Sequence, residues 1–275
     1  MKFIITGSNG YIATQVAKYL SEEHDLIAMI RKGSFNKNPS LYTKTIYTDG
    51  SLDTINKEIA TIDGVDAVIH LAAYYSTKVD TETTSKLLVD NVLFTSQILS
   101  ACAHAGIAFL GTSTFSMLDG DNNFNPRSFY DWTKFSMEEL AKTYSVKAGI
   151  LYLSDTYGPN DSRPKIHNLI HNGVIKQLNS PRDQKINLTH TKDVARAIDF
   201  TLKDLNKIKD NGVYKYEIYY PETEITLENL ADFLDADVDY LGVTEKYSIP
   251  KLRFPIPNYK PIFSPKDIQF VLDGD

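Results

Sequence analysis

Short apolar runs alternate with amphipathic stretches over the first 160 residues, and the switch between the two periods predicts a succession of strands and helices. Residues 2–6 form a β-branched and aromatic run, followed by Gly7-Ser8-Asn9-Gly10-Tyr11-Ile12-Ala13 and a helical pattern through Leu20. Further strands are expected at 26–30, 45–48, 67–71, 107–110 and 150–153. Between them, apolar Leu87, Leu88, Val92, Ile98 and Leu99 mark a long helix over about 82–104, and a second helix containing Tyr130 and Lys134 runs to about Tyr144. Strands alternating with helices predict an α/β fold with a doubly wound parallel sheet.

The second half has a different texture. A turn is expected at 157–161, helices at 165–173, 193–205 and 226–234, and strands at 185–189 and 216–220. The acidic run 232–239 and the Pro-rich stretch 250–265 look structural, the latter an irregular tail crossing a smaller C-terminal α/β lobe. The expected division is 1–155 and 156–275, with the chain free to cross between the lobes.

Composition narrows the function classes. A net charge of −6 with interspersed signs leaves no basic stripe for nucleic acid, and no apolar run approaches a membrane span. The apolar N-terminal run is too short for a signal peptide, so a cytoplasmic location is expected. The single Cys102 permits no disulfide within the chain and, in an apolar helical pattern, reads as an inert buried thiol. In a cytoplasmic chain the sequon Asn187-Leu188-Thr189 is a coincidence.

Strand, Gly-rich turn and helix together turn a glycine motif into a phosphate site. Gly7 permits the tight turn, Gly10 lets backbone approach a pyrophosphate, and the helix start offers free N–H donors; Ala13 is small enough for close packing of helix on strand. Arg31-Lys32 ends the second strand where an acidic residue would favour NAD, so a 2′-phosphate and NADP(H) over NAD(H) are expected. Asp49 offers an acceptor for an adenine amino group, and Ala72-Ala73 would let a nicotinamide ribose pass close to backbone. His70, on a buried strand, reads as a core histidine. Thr112-Ser113-Thr114 places hydroxyls at the carboxyl end of a parallel strand, where open α/β sheets bind ligands. Tyr130 and Lys134, four residues apart on a helix, put a phenol and an ammonium on one face, where the cation favours the phenolate. His167 and His171 share that spacing, but no third ligand is in evidence and a solvated helix face is expected; no metal site is predicted.

The Gly-rich turn, Asp66-Ala67-Val68-Ile69-His70-Leu71-Ala72-Ala73, Thr112-Ser113-Thr114, Tyr130 with Lys134, and Tyr157-Gly158-Pro159 occur in the order of the extended short-chain dehydrogenase/reductases. The chain resembles that family, and within it the nucleotide-sugar branch. The resemblance implies a Rossmann-type sheet with a C-terminal substrate-binding lobe. It makes Tyr130 the proton donor to a carbonyl, Lys134 the residue that lowers its pKa and holds the nicotinamide ribose, and Thr114 the hydroxyl that binds the carbonyl oxygen. Cofactor contacts are implied for Gly7, Asn9, Gly10, Tyr11, Ile12, Arg31, Lys32, Asp49, Leu71, Ala72, Ala73, Tyr130 and Lys134. Substrate contacts are implied for Tyr75, Thr77, Thr114, Tyr130, Asp155 and Lys165.

Two departures stand out. Ile186 occupies a position where relatives carry an arginine, with Arg182 and Lys185 nearby, and Asp155 stands where relatives often carry Asn or His. The expected activity is NADPH-dependent reduction of the 4-keto group of a nucleotide-activated deoxyhexose, CDP- or dTDP-linked, for polysaccharide or O-antigen biosynthesis. Alternatives are an NAD-dependent 4-epimerase or a dehydratase on the same scaffold, and, from another class, a non-catalytic dinucleotide-sensing protein. Family analogy also implies a homodimer through the helices at 82–104 and 127–145.

Overall fold

Near-continuous apolar runs make good parallel strands because both of their faces are covered by helices. The computed structural model, which describes residues 1–274, realises this. β1 (Lys2–Thr6), α1 (Tyr11–Leu20), β2 (Asp25–Arg31), β3 (Lys44–Thr48) and α2 (Leu52–Ala60) come first. β4 (Ala67–His70) leads to α3 (Thr81–Leu87), a π turn over Leu88–Leu93 and α4 (Phe94–Ala105), which run on without leaving helical geometry. β5 (Ala108–Thr114), α5 (Phe129–Thr143) and β6 (Lys147–Leu153) follow.

The smaller lobe opens with β7 (Asp155–Tyr157), α6 (Ile166–His171), β8 (Gln177–Leu178) and β9 (Lys185–His190). The chain then returns: α7 (Thr191–Leu205) packs beside α1, and β10 (Gly212–Glu217) pairs with β6. β11 (Glu224–Thr226), α8 (Leu227–Phe233), β12 (Asp239–Tyr240) and α9 (Ile268–Asp273) complete it. The large sheet is parallel throughout, in the order β10-β6-β5-β4-β1-β2-β3, and the small one is β11-β9-β7. This is a Rossmann-type doubly wound sheet.

Alternation along each strand divides the core. Phe3 and Ile5 face α1 and α7, where Val16, Leu20, Val194, Ile198 and Leu202 cover them. Ile4, Ile27 and Val68 face Ile55, Ile98, Leu99 and Met137 of α2, α4 and α5, and Cys102 lies buried among them with its thiol pKa pushed up by burial. A third cluster holds the small lobe, with Tyr157, Ile186, Leu188, Leu227 and Leu230 at its centre. Among the described residues no helix is long and apolar enough to cross a membrane.

Several expected boundaries move. Residues 111–114, read as following the fifth strand, continue it: Thr112, Ser113 and Thr114 keep ladder register with Leu151, Tyr152 and Leu153. Tyr157 belongs to a strand rather than a turn, and the strand expected at 216–220 begins at Gly212. His167 corrects the expectation of a solvated helix face. The inner side of α6 packs on the third core, so its ring is fully buried against Tyr157, 3.6 Å from Asp161 Oδ2. His171 is only partly exposed, beside Asp273.

The Pro-rich tail is tied to α7, to the seven-stranded sheet and to the three-stranded sheet. Buried Asp193 accepts the N–H groups of Ile262 and Phe263 at 3.0 and 2.9 Å, and Glu217 accepts those of Arg253 and Phe254. Tyr157 donates from its hydroxyl to the Ser264 carbonyl at 2.9 Å.

Candidate active site

The turn after β1 requires its first glycine. Gly7 has φ +65°, and a Cβ there would lie 2.7 Å from the backbone N and Cα of Ala72. Gly10 donates to the Gly7 carbonyl at 2.8 Å and caps α1 without a side chain, so the first-turn N–H groups stay free for an anion. Thr6 Oγ1 accepts the Ala72 N–H at 3.2 Å and meets His70 Nδ1 at 2.9 Å, fixing the ends of β1 and β4 together. His70 also meets Thr95 at 3.0 Å and is held neutral by burial and by the Lys134 charge, its pKa near 3: a core histidine.

A cleft of about 760 Å³ opens over this turn, lined by Gly7, Asn9, Gly10, Arg31, Asp49, Leu71, Ala72, Ala73, Asp90, Leu93 and Phe94. Glycine backbone, free amide donors and small side chains at the strand ends fit a nicotinamide dinucleotide. Asn9 braces the rim, donating to the Phe35 carbonyl and accepting the Lys37 N–H, both at 2.9 Å. Tyr11 donates from its hydroxyl to the Pro159 carbonyl, and Ile12 reaches a second cleft. The expected phosphate cations are both engaged: Arg31 Nη2 lies 2.9 Å from Asp90 Oδ1, and Lys32 3.7 Å from Asp49. Asp49 Oδ1 accepts both the N–H and the hydroxyl of Ser51, which hold its carboxyl well below the usual range.

The second cleft, about 460 Å³, shares Leu71 and Ala73 with the first. It gathers Tyr75, Thr77, Thr114, Tyr130, Lys134, Asp155 and Lys165, the residues implied for chemistry and substrate. Ser128 caps α5 by accepting the Asp131 N–H, so Tyr130 enters the helix in its first turn and Lys134 follows one turn later. Lys134 is 5% exposed and, among the described residues, forms no ion pair; burial lowers its pKa to about 8.

The expected lowering of the Tyr130 phenol is not what this arrangement produces. Burial pushes its pKa up, and Asp131, Tyr75 and Asp155 add to the rise. The physical reason is first desolvation of the phenol, to which the Asp131 and Asp155 carboxylates and the Tyr75 phenol add, while the lysine sits in a desolvated position that weakens its own charge.

Thr114 is also more committed than its sequence position implies. Buried Asp131 accepts the Ser116 hydroxyl at 2.5 Å, and Ser116 Oγ meets Thr114 Oγ1 at 2.8 Å. Since the one Ser116 hydroxyl proton goes to Asp131, Thr114 donates to Ser116 and must turn to donate to a substrate. Asp155 and Lys165 form an ion pair at 3.0 Å, with the ammonium 5.3 Å from the Tyr75 ring centroid.

Several residues of the site escape sequence reasoning. Asn91, in the π turn, accepts the Tyr74 N–H at 2.7 Å and donates to the Tyr74 carbonyl and to Thr133 of α5, pinning the loop that carries Tyr75. Arg163 donates to Asp161 and Thr156 and lies over the Tyr11 ring at 4.5 Å, joining the phosphate turn to the small lobe. Ser116, Arg127 and Tyr247 line the second cleft. An arginine close before Tyr130 is a local signal for Arg127, whereas the π turn that aims Asn91 is not visible in the sequence.

Residues 3–216 match the model of the NAD dependent epimerase/dehydratase family. CDP-abequose synthase of Yersinia pseudotuberculosis is 26% identical over 283 residues, covering 97% of this chain and 96% of that protein. A putative UDP-glucose 4-epimerase of Methanocaldococcus jannaschii is 24% identical, covering 87% and 83%. Two solved structures share the fold. MoeE5 in complex with UDP-glucose and NAD aligns with a TM-score of 0.80 at 18% identity, covering 98% of this chain and 97% of that one. UDP-glucuronic acid 4-epimerase from Bacillus cereus, in complex with UDP-glucuronic acid and NAD, aligns at 0.76 and 19%, with the same coverage.

Proposed function

Because the chain belongs to the NAD dependent epimerase/dehydratase family and is an NAD(P)-dependent oxidoreductase of the extended short-chain type, we propose that it reduces the 4-keto group of a nucleotide-activated deoxyhexose with NADPH. The observation that carries this reading is the meeting of Tyr130, Thr114 and Lys134 in a cleft that shares Leu71 and Ala73 with the glycine-lined cleft. A nicotinamide dinucleotide bound there supplies the hydride. Tyr130, kept protonated at neutral pH by burial and by its carboxylate neighbours, gives its proton to the carbonyl oxygen as that oxygen becomes a hydroxyl. Thr114, turned from Ser116, donates the second hydrogen bond that holds the carbonyl in place. Lys134 contributes an ammonium from a desolvated position, where one charge acts strongly on whatever lies beside it. Phe115 and Ser116 follow Thr114, so no Asp-Glu pair stands there for the extra acid/base step of a dehydratase.

A 4-epimerase that retains NAD is the second reading. It is favoured by the Arg31–Asp90 pair, which engages the cation expected to select a 2′-phosphate. In either case we infer a homodimer through the continuous helical run from α3 to α4 and through α5, supported by the exposed Leu88, Phe129 and Trp132 on those elements; light scattering at the monomer mass would refute it.

The experiment is a screen of CDP-, dTDP-, GDP- and UDP-linked 4-keto sugars for NADPH oxidation, with product configuration assigned by NMR. Oxidation with at least one of them is expected. Purified protein that carries bound NAD and oxidises NADPH with none would sink the reductase reading in favour of the epimerase.

A further inference from the structure

Four cations line the second cleft, and three of them are spoken for. Arg163 is bonded to Asp161, Lys165 to Asp155, and Lys134 is buried beside Tyr130. The strand of the small lobe adds none: Ile186 is buried, Lys185 pairs with Glu224 at 2.7 Å, and Arg182 pairs with Glu228 at 3.3 Å. Arg127 remains. It is exposed and, among the described residues, forms no ion pair.

Arg127 is also held at two points. Its Nε donates to the Ser116 carbonyl at 2.9 Å, and its guanidinium carbon lies 4.1 Å from the centroid of the Tyr247 ring. Tyr247 is fastened in turn to buried Gln184, which accepts its N–H at 3.0 Å and donates to its carbonyl at 2.9 Å. A guanidinium held over an aromatic ring and anchored through Nε has its terminal nitrogens left for a ligand, in the fork that suits a phosphate or carboxylate. Arg127 is anchored to the loop after β5 and Tyr247 to the start of β9, so an anion gripped there would bind both lobes at once.

We propose that Arg127, on its Tyr247 platform, is an oxyanion subsite for the substrate, taking over the role for which β9 offers no unpaired cation. Two sources share this chemistry: the diphosphate of a nucleotide sugar, or a carboxylate on the sugar. The nucleotide-sugar reading above is needed only to identify the anion.

The test is equilibrium binding to the protein saturated with NADPH, so that the glycine turn is occupied. The probes are inorganic pyrophosphate, UDP, CDP, UDP-glucose and UDP-glucuronate, measured on wild type, Arg127→Gln, Arg127→Lys and Tyr247→Leu. Loss of one charge-assisted fork corresponds to about a tenfold or larger weakening. A diphosphate grip predicts that Arg127→Gln weakens pyrophosphate and every nucleotide by that factor, with Arg127→Lys and Tyr247→Leu intermediate and NADPH affinity unchanged. A carboxylate grip predicts that only UDP-glucuronate weakens. Wild type that binds none of the probes, or an Arg127→Gln protein that binds all of them unchanged, overturns the subsite. Arg127-dependent pyrophosphate binding with no gain from any nucleoside would leave the subsite standing and sink the nucleotide-sugar reading.

Discussion

The ring of Tyr75 meets the ring of Tyr130 edge-on, with centroids 4.8 Å apart and planes at 80°. One ring comes from the loop after β4 and the other from the first turn of α5, so the contact joins two sides of the second cleft. An aromatic pair of this geometry contributes roughly 1 kcal/mol beyond its burial. Tyr75→Ala is therefore expected to lower kcat/KM about five- to tenfold in steady-state kinetics, with Tyr75→Phe close to wild type. Equal activity of the alanine variant would show that the contact does not order Tyr130.

Gly7→Ala tests the phosphate turn. The new Cβ would sit 2.7 Å from Ala72 backbone at a positive φ, with strain of about 1–3 kcal/mol. Loss of that order in chemical denaturation is expected, together with dinucleotide binding weakened at least about tenfold. A stable variant with normal binding would place the cofactor elsewhere.

Lys134 gives a pH dependence with a definite sign. Its ammonium is the protonated form, so with a pKa of about 8 the charge is present below that pH and lost above it. The kcat/KM profile should fall as pH rises through about 8. Stability moves the other way. Because burial lowers the folded-state pKa below the usual 10.5, folding releases a proton between about pH 8 and 10.5, and stability rises with pH across that window. Lys134→Met should then be more stable than wild type at pH 7, by up to about 3 kcal/mol, with the gap closing towards pH 10. It should also be inactive. A methionine variant no more stable at neutral pH would show that the ammonium is solvated.

Arg31 and Asp90 set opposite demands on cofactor choice. Arg31→Ala is expected to weaken NADPH about tenfold relative to NADH, whereas Asp90→Asn frees the guanidinium and should tighten NADPH several-fold, as for a charge-assisted contact. Fluorescence titration with both cofactors checks this. Equal losses for NADH and NADPH in Arg31→Ala would make the basic pair a solvated strand end.

Much of this architecture was legible in local pattern. β1, the glycine turn and α1 follow from a change of period at Gly7, and α8 starts where Thr226 and Asn229 form a reciprocal cap. What was illegible depends on distant partners. Asn91 acquires its role only because a π turn aims it at Tyr74 and Thr133, and His167 is buried only because the small lobe folds Tyr157 against α6. Tyr130 and Lys134 were found by spacing, yet spacing alone gave the wrong sign for the phenol. The sign is set first by burial of the phenol, and then by Asp131, Tyr75 and Asp155, of which the last arrives from β7.

Net reduction at a sugar carbonyl is read out most directly by deuterium transfer. NADPH carrying deuterium at both C4 positions of the nicotinamide would be incubated with the 4-keto nucleotide sugar that the screen selects, and the product examined by NMR. One deuterium at C4 of the sugar is expected for each NADPH oxidised, with Tyr130→Phe slowing the transfer by about 10²–10⁴-fold while binding NADPH normally. NADPH oxidised with no deuterium at C4 of the product sugar would contradict it.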